Sequence, residues 1–288
     1  MAIEKWIVHP GENRVIDVEG VLALKISLAA GQVDVIAHDE PETRIEVRSV
    51  SGKDLRIEMA GGRLEIDHPQ LAWDNFLSAF RSFGSSGPRA EIAVAAPRDV
   101  LLTLGIVSAN ALVAGFRRDA SINSVSGDLL VDGHTGALRV NSVSADVQAR
   151  GVTGDFSANT VSGELTASGV LTSVNIDTVS SSTFVDAEGP IEEISLNGVS
   201  GDATFRLDDG YPANYVLRSA GGRMVVDGIA RGSRGPSSFS GSAGALSGSF
   251  VDVKANTVSG DITVLRRGGV APQPLRDHDL ADEEGGEA

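Results

Sequence analysis

From Gly105 onward, apolar and polar residues alternate at spacing two, in blocks that recur along the chain. The phrase Asn-Ser-Val-Ser-Gly-Asp at Asn123 returns in variant form at Asn141, Asn159, Asp177, Asn197 and Asn256. Two degraded copies, beginning at Arg218 and Ser237, fill the longest gap and bring the intervals to 18–21 residues. Within each block one apolar column holds Val107, Val125, Val143, Val161, Val179, Val199, Phe239 and Val258. A second pair of columns holds residues such as Leu129 with Val131, and Leu165 with Ala167. Glycines separate the pairs, at the points where a strand must turn. A period near twenty with spacing-two strands and no 3.6-residue rhythm predicts an all-β fold, a parallel β-solenoid of about nine coils running in chain order from Gly105 to Leu265. The pattern predicts that each coil buries its valine against the next. The stacked asparagines Asn123, Asn141, Asn159, Asn197 and Asn256 are expected to hydrogen-bond amide to amide along the axis. The extra residues Asp208–Tyr215 are expected to bulge as a surface loop.

Upstream, Val15–Asp67 also alternates, with charged outer positions and Gly or Pro turns, and predicts antiparallel strands that seal one end of the solenoid. One stretch differs. Trp73, Phe76, Leu77 and Phe80 recur at i, i+3, i+4 and i+7, with Phe83 just beyond, as on one face of a short helix. This amphipathic insertion near 71–83 either caps the solenoid end or anchors a partner. The expected organisation is therefore a strand-rich cap over 1–104, a solenoid over 105–267, and a disordered acidic tail over 268–288.

Composition narrows the chemistry. The chain of 288 residues carries a formal charge of −15, which argues against nucleic acid as a partner. It has no cysteine, which excludes disulfides and thiolate metal sites. There is no basic and apolar leader and no apolar window long enough for a transmembrane segment, as expected of a soluble cytoplasmic protein. The five histidines show no i, i+4 pairing, and no G-x-S-x-G elbow or strand–glycine–helix phosphate loop is present. Acids do stack in one column, at Asp128, Asp146 and Glu164, where repulsion between neighbours is about 1 kcal/mol in water. A Ca²⁺ ion would relieve it. The competing reading, a hydrated outward turn, is the one adopted, so neither metal nor cofactor is expected.

The recurrent V-S-G-[DE] phrase, "LAAGQVDVIAHDEPETRIEV", "GGRLEI" and "EIAVAAPRDVLLTL" together resemble the DUF4097 family of bacterial β-strand-repeat proteins, often labelled adhesins. The resemblance spans about Val21 to Leu265 and implies a β-solenoid, a link to envelope-stress or surface modules, and no catalytic residues. The expected function is a non-enzymatic scaffold for protein–protein interaction, with self-association as an added expectation. Trp73, Phe76, Leu77, Phe80 and Phe83 are the candidate partner-binding residues, and Val125, Val143, Val161, Val179 and Val199 join the asparagines as the structural ladder. The alternatives are a surface adhesin or carbohydrate-binding module, and a polysaccharide-acting β-helix enzyme.

Overall fold

The computed structural model describes residues 3–68, 87–232 and 235–268. Among them there is no helix, and eighteen strands join in one sheet. The first seven are β1 (Ile3–Val8), β2 (Arg14–Glu19), β3 (Ala23–His38), β4 (Glu42–Ser51), β5 (Leu55–Ala60), β6 (Arg63–Asp67) and β7 (Arg89–Pro97). Next come β8 (Leu101–Ala114), β9 (Ala120–Asp132), β10 (Leu138–Ala187), β11 (Glu193–Ser200) and β12 (Ala203–Leu207). The last six are β13 (Ala213–Ser219), β14 (Met224–Val226), β15 (Ile229–Arg231), β16 (Ser237–Ala243), β17 (Val251–Thr257) and β18 (Ile262–Arg266).

The middle of the molecule stacks in chain order. β3 pairs in parallel with β8, β8 with β9, and β9 with the start of β10 in an 18-residue register, Asn123 opposite Asn141. β10 continues through successive coils, and its end pairs with β11 and β12. Along each parallel strand alternate residues enter the core, and their equivalents stack from coil to coil. The core is one cluster, from Val8 and Ile16 to Val253 and Val264.

Chain order breaks at both ends. The expected uninterrupted run of coils is overturned at the C-terminal end, where β17 and β18 pair directly with β11 and β12. Asn256 thus lies opposite Asn197, with no degraded copy between them. The copy at Arg218 stacks on the far side of Asn256, as β13 and β14. The copy at Ser237 is not a parallel coil: β16 runs antiparallel to β13, and β15 antiparallel to β14. The expected loop at Asp208–Tyr215 is shorter than predicted, because Ala213 and Tyr215 belong to β13 and Tyr215 is fully buried.

At the other end, β4 pairs antiparallel with β7 and β2, and β5 antiparallel with β6 and β1. The reading of all Val15–Asp67 as antiparallel is corrected at β3, which pairs in parallel with β6 and β7 on one side and β8 on the other. β3 is itself a coil, and the parallel stack reaches upstream of residue 105, a position inside β8. Each end is thus finished by antiparallel strands, which close the ladder with short connections that a parallel coil cannot use. The amphipathic insertion near 71–83 and the acidic tail from residue 269 lie outside the described residues.

Candidate functional site

Two faces of the stack carry repeated side chains, and both are built at the recurring turn. In the coil from Asn141, Ser142 points inward and is buried, Val143 and Ser144 are exposed, Ala145 is buried and Asp146 is exposed. The strand ladder is interrupted at the valine, where the register omits the Val125–Val143 pair. Hydroxyls supply the missing partners. Ser126, Ser162 and Ser200 each donate to the valine carbonyl of the preceding coil, at 3.1, 3.1 and 3.2 Å. The inward hydroxyl ties the turn from below: Thr160 Oγ1 donates to the Ser162 carbonyl at 3.2 Å, and Thr178 Oγ1 accepts from the Ser181 amide at 3.1 Å.

That difference between coils follows a two-coil rhythm. The residue after the second serine is Ala109, Gly127, Ala145, Gly163, Ser181, then Gly201 in successive coils. Gly127, Gly163 and Gly201 have φ of 107°, 109° and 101°, and Ala109, Ala145 and Ser181 do not have positive φ. A Cβ built on Gly163 would overlap the carbonyl oxygen of Ala145. The turn peptide therefore alternates between two orientations, and glycine is needed in every second coil.

The turn explains an inverted valine column. The valines were expected to be buried, and Val107 and Val125 are, but Val143, Val161, Val179, Val199 and Val258 are 39–53% exposed. In the Asn141, Asn159 and Asp177 coils the inward slot goes to Ser or Thr, whose hydroxyl can bond the turn's own backbone, as Thr160 does at the Ser162 carbonyl and Thr178 at the Ser181 amide. A buried backbone group left unpaired costs about 1–3 kcal/mol, more than the roughly 1 kcal/mol lost by half-exposing a valine. Phe239, placed in the same column by sequence, instead packs near Tyr215 with ring centroids 6.3 Å apart.

Beside the valines runs the asparagine column. Asn141 Nδ2 donates to Asn123 Oδ1 at 2.9 Å, Asn159 to Asn141 at 2.8 Å, Asn197 to Asp177 at 3.0 Å, and Asn256 to Asn197 at 3.0 Å. Asp177 has no amide to pass the chain on to Asn159. The asparagines and valines line an open cleft of about 490 Å³, whose lone carboxylate is Asp177. The result is an apolar-and-amide stripe with one carboxylate, on a molecule of charge −15.

The second face is acidic. Asp34, Asp128, Asp146 and Glu164 rim a cleft of about 490 Å³ that includes half-buried Leu112 and Leu130. Part of this column serves the backbone: Asn110 Oδ1 accepts from the Asp128 amide at 3.0 Å, and Asp146 Oδ1 from the Glu164 amide at 2.8 Å. The same device recurs from Asp261 to Asp202 at 2.9 Å and from Arg223 to Asp261 at 2.7 Å. Among the described residues no three His, Cys, Asp or Glu side chains converge as metal ligands.

Two further constellations are structural. Asp186 accepts from Arg206 and from Arg267, the latter at 2.7 Å, and Arg267 also reaches Asp208 at 2.8 Å. The Arg206 hydrogen bond holds the Asp186 carboxyl below the usual carboxylate range. His68 and His134 are buried, and burial pushes both imidazoles below the ordinary histidine range. Trp73, Phe76, Leu77, Phe80 and Phe83 lie outside the described residues. The sequence missed the exposure of the valine stripe, because spacing two marks opposite faces without saying which is inside.

The model of a family described as Toastrack DUF4097 matches residues 23–265. No curated protein matches the chain. Among solved structures, a protein from Parabacteroides distasonis, provisionally named as lipid-binding, is 12% identical, covers 89% of this chain and 98% of its own, and has a TM-score of 0.52. One from Clostridium sporogenes, provisionally named for cell adhesion, is 13% identical over 89% and 99%, with a TM-score of 0.29. One from Bacteroides fragilis, provisionally named an adhesin, is 11% identical over 88% and 98%, with a TM-score of 0.44. At these identities the first supports the fold alone.

Proposed function

This chain belongs to the Toastrack DUF4097 family, and from that premise we propose that it is a non-enzymatic scaffold that binds a protein partner through its valine stripe. The carrying observation is the exposure of Val143, Val161, Val179, Val199 and Val258 in register over consecutive coils. A contiguous apolar patch rimmed by amides and hydroxyls is the composition of a protein interface core, with charge kept out of its centre. A partner with an uncharged, apolar surface fits it, since an acidic partner is repelled by the whole molecule and a basic one finds a single carboxylate there. The absence of catalysis is part of the proposal. It is supported by the hydroxyls and carboxylates of the repeat being engaged in satisfying turn backbone.

The test compares wild type with a Val161→Asp, Val179→Asp variant in affinity capture from the host, after circular dichroism confirms both are folded. A protein captured by wild type alone is then purified, and its direct binding measured by calorimetry. Direct binding that the double substitution weakens at least tenfold supports the reading. Equal affinity for both forms refutes the stripe as the docking face.

A further inference from the structure

The two ends of the stack differ in how their last strands meet solvent. At the N-terminal end the outermost strands are β1 and β2, which carry Glu4, Lys5, Arg14, Asp17 and Glu19. Charges of this kind discourage edge-to-edge pairing. At the other end the outermost long strand is β16, whose only ladder partner among the described residues is β13. β16 reads Ser-Ser-Phe-Ser-Gly-Ser-Ala. No charged residue occurs anywhere from Pro236 to Phe250. Its outer edge presents backbone donors and acceptors with no lysine, proline or bulge to deter another strand.

We propose that this edge joins two copies of the chain, β16 pairing antiparallel with β16 of a second copy about a two-fold axis at Ser240. The proposal does not depend on the valine stripe. Three observations select a second copy as the occupant. First, two molecules of charge −15 repel over most of their surface, and the uncharged run is where they can approach. Second, a two-fold centred on Ser240 sets Phe239 opposite the partner's Gly241, large against small. The Phe239 ring already lies over its own Gly241, where an added Cβ would come within 2.7 Å of the ring, so the middle of the edge stays low. Third, β16 lacks the charges that β1 and β2 carry at the opposite end, so pairing through it closes as a dimer and does not propagate as a filament. The strand is held firmly for this purpose. Phe239 packs near Tyr215, and the Arg231 guanidinium sits 5.0 Å from its ring centroid.

The mass of the full chain in solution, measured by light scattering across the micromolar range, is expected to be twice 29.8 kDa. Ser238→Lys with Ser242→Lys sets like charges opposite each other across the axis. This variant is expected to halve the mass with an unchanged dichroism spectrum, because both side chains are exposed. Because the chain has no cysteine, Ser240→Cys introduces a single thiol. Under mild oxidation it is expected to form a disulfide-linked dimer. Ser238→Cys is not, since its two copies would lie four residues apart in register, beyond disulfide reach. A wild-type chain that stays monomeric overturns the proposal. So does a dimer in which Ser240→Cys fails to cross-link, or cross-links no faster than Ser238→Cys.

Discussion

Replacing Gly163 by alanine tests the alternating turn directly. Gly163 has φ of 109°, outside the left-handed region that an alanine can reach at modest cost, so the strain is about 1–3 kcal/mol. The new methyl would overlap the Ala145 carbonyl oxygen, and displacing one coil against its neighbour costs a further 1–3 kcal/mol, roughly, by the measure of overpacked cores. Stiffening the unfolded chain returns about 0.4–1 kcal/mol. The net loss is about 1–5 kcal/mol, with a centre near 3. Gly133 is the control: its φ is 64°, within the left-handed region, and no atom lies within 4 Å of the added Cβ. Gly133→Ala should cost about 1 kcal/mol, from backbone strain alone. Urea unfolding followed by circular dichroism, with a shared slope, reads both as shifts in midpoint. If Gly163→Ala loses no more than Gly133→Ala, the close approach between coils is not what requires glycine there.

The remaining predictions address other links. Asp177→Asn should extend the amide ladder from Asn159 to Asn197 and raise stability by about 0.5–1.5 kcal/mol, read from the urea midpoint. Val161→Ser on the exposed stripe should cost no more than about 1 kcal/mol, the worth of its remaining half-burial, whereas Leu165→Ala, fully buried four residues on, should cost about 2–5 kcal/mol. Asp186→Ala should cost about 1–3 kcal/mol, because it leaves Arg206 and Arg267 without their shared carboxylate while both remain partly solvated. Stability should also fall with acid. Burial lowers the His68 and His134 imidazoles when folded, so around and below the ordinary histidine value of about 6.5 the unfolded chain binds more protons. Their contribution is complete above that pH and is lost as pH falls toward their lowered folded values. His134→Phe should flatten the slope of melting temperature against pH in that window, and an unchanged slope would refute its role.

Sequence periodicity alone carried the all-β class, the parallel coils and the glycine turns. These features are local: eighteen residues specify one coil, and the next coil repeats the same specification. The hydrogen bonds of Asn123, Asn141 and Asn159 follow from that equality of spacing. Which face of the turn is buried is not local in the same sense. Spacing two separates Val143 from Ser142 without deciding which points inward, and the decision rests on the turn backbone that an inward hydroxyl can bond. The order of coils is decided only in three dimensions, because a parallel layer accepts any in-register strand wherever it lies in the chain. β3 meets β8 although β4, β5, β6 and β7 lie between them in sequence, and β17 displaces the weaker copy in β13 to the outside. That placement lets Asn256 bond Asn197, and leaves the less regular copy where antiparallel strands can close the stack.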